Sequence, residues 1–148
     1  MMDTLTPKDE ELIALLQTNA RMPVSELARQ LGVSRTTVQD RLKRLEDSGV
    51  IAGYGVRLAQ TSSLSGIQAL VAVSVEPRKT NDVVRALCRM PSVQTLLSVS
   101  GKYDIVALLR APTTERIDEL LDDIGVIEGV NDTESSIILA TRLDRRWA

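Results

Sequence analysis

Two stretches of helical periodicity meet across a gap of two residues. From Val24 to Leu31 the residues Val24, Leu27, Ala28 and Leu31 recur at i, i+3, i+4 and i+7. From Ser34 to Gly49, Val38, Leu42 and Leu45 share one face. Only Gly32 and Val33 lie between. So short a turn forces the two helices to cross with their apolar faces together, the geometry of a helix-turn-helix. Gly32 relieves the turn, Val33 plugs the small core and Ser34 caps the next helix, which Gly49 ends. An earlier helix opens at Thr6, with Pro7 in its first turn and Asp9 in capping-box register. Its stripe of Leu12, Ile13, Leu15 and Leu16 runs to about Thr18.

At about 100° per residue, the third helix turns Val38, Leu42 and Leu45 inward. Thr36, Asp40 and Lys43 point the opposite way, flanked by Gln39, Thr37 and Arg44. Hydroxyls, an amide and cations are the groups that read base edges and phosphates in a major groove. Arg35 and the free N–H groups near Ser34 add anion affinity at the helix N-terminus. The expected DNA contacts are therefore Ser34, Arg35, Thr36, Thr37, Gln39, Asp40, Arg41, Lys43 and Arg44, with Arg41 and Arg44 nearer the phosphates. A plain solvated helix face is the alternative, and the preceding turn argues against it. The chain carries a net charge of −2, yet Arg21 to Arg57 holds seven basic residues against four acidic ones. The positive charge sits where DNA would be met.

Val50 to Leu58 reads as extended around Tyr54, making the first unit a winged-type one. Gln60 to Gly66 is polar and aperiodic, which sets a boundary between a DNA-binding domain over 1–60 and a second domain over 61–148. In the second, Ile67 to Val75 predicts a strand, and Thr80 caps a helix with Val83, Val84, Leu87 and Met90. Val93 to Val99 and Ile105 to Leu109 predict strands around the turn Gly101-Lys102-Tyr103-Asp104. Pro112 to Thr114 opens a helix with Ile117, Leu120, Leu121 and Ile124, and Val130 to Ala140 is a last strand. The order βαββαβ gives an α+β fold: a three-helix helix-turn-helix followed by a ferredoxin-like domain.

Composition removes several chemistries. With no histidine and a single cysteine, Cys88, the chain can build no serine triad, Cys–His pair or zinc finger. No disulfide can form within the chain, and a cytoplasmic location is expected. No cofactor, metal or membrane span is expected, and the start Met1-Met2-Asp3-Thr4 lacks a signal-peptide pattern. Asp118, Glu119, Asp122 and Asp123 share a helix with Ile117, Leu120 and Leu121, so they form a solvated face in preference to a metal site. Cys88 beside core positions is read as inert packing. The tail from Arg142 to Ala148 is expected to be only partly ordered, and Trp147 within it either docks on a neighbour or is disordered.

The chain from about Leu5 to Leu143 resembles the Lrp/AsnC (feast/famine) regulators. The resemblance rests on Ala20-Arg21, Glu26-Leu27-Ala28, Gly32-Val33-Ser34, Val38, Arg41, Arg44-Leu45-Glu46, Gly49-Val50-Ile51 and Gly53-Tyr54. It continues through Gly101-Lys102-Tyr103-Asp104 and the run Gly129 to Ser135. Thr6 departs from the acidic cap frequent in that family, but threonine also caps. The resemblance implies a transcription factor on double-stranded DNA, responsive to an amino acid or related metabolite, and paired into dimers and higher assemblies up to octamers. By its own chemistry the 101–104 turn is only a tight hairpin. The resemblance makes it part of an effector pocket between dimers. Backbone N–H groups around Gly101 would hold a carboxylate, Asp104 an ammonium, and Tyr103 would offer a ring and hydroxyl. Thr133, Ser135 and Ser136 of another chain would complete the lining. The small residues Ala69, Ala72 and Ser74 would let two sheets approach, and paired chains would read a pseudo-palindromic operator. An architectural DNA-wrapping protein and, less simply, an enzyme on a ferredoxin-like fold remain as other readings; no convergent acid–base pair supports the enzyme.

Overall fold

The computed structural model describes residues 4–59 and 66–144. The chain divides after Arg57 into two compact units, each with its own core. Gln60 to Ser65 of the expected boundary, Met1 to Asp3, and the tail beyond Asp144 with Trp147 lie outside the described residues.

The first unit is three helices, α1 (Pro7–Thr18), α2 (Val24–Leu31) and α3 (Arg35–Asp47). Local chemistry sets each end. The Thr6 hydroxyl accepts from the Asp9 N–H at 3.2 Å, while Asp9 Oδ2 accepts from the Thr6 N–H at 2.9 Å. This reciprocal box satisfies two donors that a helix start leaves without partners. Gly32 takes φ +66°, and the Val33 N–H returns to the Ala28 carbonyl at 3.1 Å, closing α2 in a left-handed turn. Ser34 then accepts from the Thr37 N–H at 3.1 Å and starts α3. Leu12, Leu16, Leu27, Ala28, Leu31, Val38 and Leu45 meet in the core, as the apolar spacing required.

After α3, Ile51 folds back so that its N–H reaches the Leu45 carbonyl at 2.9 Å. From Ala52 to Ala59 the chain forms no strand, so the wing expected from Val50 to Leu58 is absent among the described residues. An extended segment becomes a strand only where a neighbour completes its ladder, and none of the described residues does so.

The second unit is a four-stranded antiparallel sheet of β1 (Ile67–Val75), β2 (Val93–Ser98), β3 (Ile105–Ala111) and β4 (Val130–Ile137), in the order β2-β3-β1-β4. Helices α4 (Thr80–Cys88) and α5 (Thr114–Gly125) complete the ferredoxin-like βαββαβ order. Strand alternation sorts the residues. Ala69, Val71, Val73 and Val75 of β1 and Ile105, Ala107, Leu109 and Ala111 of β3 are buried against Val83, Leu87, Ile117, Leu120 and Ile124. The opposite face carries Leu70, Ala72, Val106, Leu108 and Leu97, all half-buried or exposed.

Several expected boundaries move: β2 ends at Ser98 instead of Val99, β3 runs on to Ala111 instead of Leu109, and two further shifts have a visible cause. Thr80 does not cap α4: the chain enters through a 3-10 turn, Pro77–Lys79, and the Thr80 hydroxyl donates to the Pro77 carbonyl at 3.1 Å. The last strand stops at Ile137 instead of Ala140. Its neighbour β1 begins at Ile67, so after the Ile138 N–H bonds the Gln68 carbonyl at 2.9 Å the ladder runs out of partner.

Candidate functional site

The outward arc of α3 is the first site. Arg35, Thr36, Gln39, Asp40 and Lys43 are exposed, behind the buried pair Val38 and Leu45. Arg35, Thr36, Gln39 and Asp40 make no side-chain bond or ion pair among the described residues, so their polar ends face outward available for contact. Lys43 reaches Asp47 one turn on at 2.8 Å. Both ends of that pair are largely solvated, so it holds the helix only weakly and yields readily to a competing anion. Ser34 and Thr37 are turned to each other, their hydroxyls 2.8 Å apart. They cap the helix, and the exposed backbone N–H groups beside them remain the anion-attracting feature of this end.

Arg41 and Arg44 behave differently from the expectation that they stand by phosphates. Both donate to Oδ1 of Asp9 at the start of α1, at 2.9 Å and 2.6 Å. Asp9 is completely enclosed. Burial by itself would raise its carboxyl, but the bonds from Arg44, Thr6 and Arg41 together outweigh it and hold the group well below the usual carboxylate range. The capping-box spacing disclosed Asp9 as a cap, and nothing local disclosed its two arginine partners.

The second site is the turn between β2 and β3. Gly101 lies at φ +113°. The Val99 N–H bonds the Asp104 carbonyl and the Asp104 N–H bonds the Val73 carbonyl, each at 3.0 Å, tying the turn to β1. Asp104 Oδ2 accepts from the Val75 N–H at 2.9 Å, at the point where the β1–β4 register shifts between Ser74 and Val75. One carboxylate oxygen therefore performs a structural task, taking the Val75 N–H just past the point where the β1–β3 ladder ends at Val73 and Ile105. Tyr103 donates its hydroxyl to Glu134 Oε2 at 2.6 Å, and the Lys102 ammonium stands 5.0 Å from the Tyr103 ring centre. The bond to Glu134 holds the phenol above its ordinary pKa, since the neutral hydroxyl is the donor.

Glu134 was not singled out from the sequence; only the sheet register brings it beside Tyr103. The same register divides the strand residues expected to line an effector. Thr133 and Ser135 sit opposite Val73 and Val71, on the helix side of the sheet, while Ser136 sits opposite Leu70 on the open side with Glu134. A single ligand against β4 meets one pair or the other, so Thr133, Ser135 and Ser136 do not form one wall.

Two hollows lie elsewhere. A groove of about 590 Å³ in the first unit is lined by Ile13, Leu16, Arg21, Ile51 and Tyr54 among others, and one of about 300 Å³ in the second lies by Gln68, Arg110 and Ile138. Neither includes the 101–104 turn. No helix of the described residues is long and apolar enough to cross a membrane, and none of their acidic clusters could hold a metal ion.

The chain matches the profile of the AsnC-type helix-turn-helix domain over residues 5–46 and that of the Lrp/AsnC ligand binding domain over residues 68–148. It is 30% identical to the HTH-type transcriptional regulator FL11 of Pyrococcus furiosus, over 88% of this chain and 87% of the relative. Among solved structures it is similar to a feast or famine regulatory protein from M. tuberculosis complexed with L-methionine (32% identity, TM-score 0.87, 97% of each chain covered). A transcriptional regulator from Neisseria meningitidis, also in complex with L-methionine, is similar at 26% identity and TM-score 0.87, with 95% of this chain and 94% of that one covered.

Proposed function

The chain belongs to the Lrp/AsnC family of transcriptional regulators, and from that premise we propose that it binds operator DNA through α3 and answers to an amino acid held at the 101–104 turn. One observation carries the reading: behind the Gly32 turn, α3 offers Arg35, Thr36, Gln39, Asp40 and Lys43 to solvent while its other face is core. Residues 1–60 then form the DNA-binding domain and 61–148 the effector and assembly domain. The protein acts in the cytoplasm, by binding and not by catalysis.

Two features support assembly. The open sheet face exposes Leu70 to 43% and Leu97 to 52%, beside Val106 and Leu108. Pairing two such faces removes this apolar surface from water at roughly 25 cal/mol per Å². Neither of the two hollows described above includes the turn, which fits an effector site completed by a neighbour in a tetramer or octamer. A dimer presents two copies of α3, so operator half-sites fall about 34–36 Å apart, or a multiple of it, in a pseudo-palindrome. The effector class is taken from the relatives bound to L-methionine. Asp104 Oδ1 is the oxygen left for an ammonium, and the backbone around Gly101 for a carboxylate.

The test is operator selection from random duplexes followed by binding of Thr36→Ala and Lys43→Ala variants. Losing a base-reading side chain should cost about 1–3 kcal/mol and relax one position. If the double variant kept the wild-type affinity and base preference, α3 would not be the reading helix.

A further inference from the structure

Asp9 is the buried charged residue among the described residues, and every one of its acceptor positions is used. Oδ1 takes Arg41 at 2.9 Å and Arg44 at 2.6 Å; Oδ2 takes the Thr6 N–H at 2.9 Å and the Thr6 hydroxyl at 2.8 Å. A carboxylate offers about four lone-pair positions, so the site is saturated. Arg41 adds a bond to the Thr6 hydroxyl at 3.0 Å, and its side chain is only 25% exposed. Two of the cations on α3 are thus drawn back onto the start of α1, off the arc of Thr36, Asp40 and Lys43.

We propose that Asp9 is a positioning residue that withholds Arg41 and Arg44 from the DNA backbone, leaving charge contacts on α3 to Arg35 and Lys43. An arginine that left Asp9 for a phosphate would abandon a carboxylate already out of water, whose desolvation penalty stays behind. The attraction of a phosphate at a salt-screened surface does not make up that loss. Withholding two cations lowers the number of counterions released on binding, which is the sequence-independent share of affinity. Base-edge contacts then account for a larger share of the total, and the ratio of specific to non-specific binding rises. The inference rests on the reading of α3 as the DNA-contacting helix.

The experiment measures the affinity of the full chain for a short mixed-sequence duplex across a range of salt. Asp9→Asn keeps the side-chain shape and removes the charge, with circular dichroism confirming that the variant is folded at the assay temperature. We expect tighter non-specific binding and a slope of log K against log salt steeper by about 0.9 per arginine released in each chain. Adding Arg41→Met and Arg44→Met to Asp9→Asn should return the slope to the wild-type value. An unchanged slope in folded Asp9→Asn, or one that stays steep in the triple variant, overturns the inference. If Asp9→Asn does not fold, Arg41→Gln in the otherwise wild-type chain decides. An unchanged slope supports withholding, whereas one shallower by about 0.9 per chain puts Arg41 on a phosphate already and overturns it. A wild-type protein that binds no duplex refutes the DNA reading itself, and the inference with it; wild-type binding with an unchanged slope in folded Asp9→Asn removes the inference alone.

Discussion

Replacing Asp104 separates its two tasks, because one oxygen bonds the Val75 N–H at 2.9 Å and the other is proposed to meet the effector. Asp104→Ala removes both. Val75 is 6% exposed, so its N–H has little access to water once the acceptor is gone. Bonds to a charged acceptor contribute about 1.5–3 kcal/mol, and for a unit of this size a loss of about 2 kcal/mol lowers Tm by roughly 8–16 °C. Asp104→Asn presents a neutral oxygen in the same place and should cost only about 1 kcal/mol, half that shift or less. The amide cannot offer an ammonium the charge that the carboxylate does. Thermal melts of wild type and both variants, with and without the amino acid that stabilises wild type in a screen, read both tasks together. At a hundredfold excess over Kd, wild type should gain about 2.7 kcal/mol, and Asp104→Asn little or nothing. If Asp104→Ala melts with wild type, the Val75 bond contributes nothing and the structural half of the reasoning fails. If Asp104→Asn gains as much as wild type from the ligand, Asp104 is not its ammonium partner.

Gly129→Ala should destabilise the second unit by about 2–5 kcal/mol in urea titration, combining left-handed strain with overpacking. Its φ is +100°, and an added Cβ would collide with Lys79 Cβ and stand 3.2 Å from Val83 Cγ2; a cost under about 1 kcal/mol would contradict the geometry. The first unit should be acid-sensitive through Asp9, whose carboxyl titrates lower in the folded unit than in the unfolded chain. That contribution is complete above the unfolded carboxyl range near pH ~4 and drains away as pH falls below it. Melts between neutral and strongly acid pH should show this component in wild type and lose it in Asp9→Asn; parallel pH profiles would contradict it.

The features legible in the sequence are those set by neighbours along the chain. Thr6 with Asp9, Gly32 with Val33, and Ser34 with Thr37 interact across three residues or fewer, or within one turn, so composition and spacing were enough to define α1, α2 and α3. Period-two burial in β1 and β3 and period-3.6 burial in α4 and α5 likewise follow from which residues avoid water. The family resemblance rests on the same local runs. What failed at the sequence level was less local. A wing needed a strand partner that no described residue supplies, Thr80 lost its capping place to the 3-10 turn begun by Pro77, and β4 ended where β1 offered no further ladder.

The chain's own order of residues thus determined its helices, its turn and the outward arc of α3, because backbone conformation and burial answer to local spacing. Tertiary structure alone decided where the charges point. Arg41 and Arg44 stand more than thirty residues from Asp9, and Tyr103 stands 31 from Glu134. On a helix or strand an arginine or tyrosine can satisfy its polar end with water, a phosphate or a ligand at nearly equal cost. Which of these it does not need is settled only when packing brings a carboxylate within 3 Å.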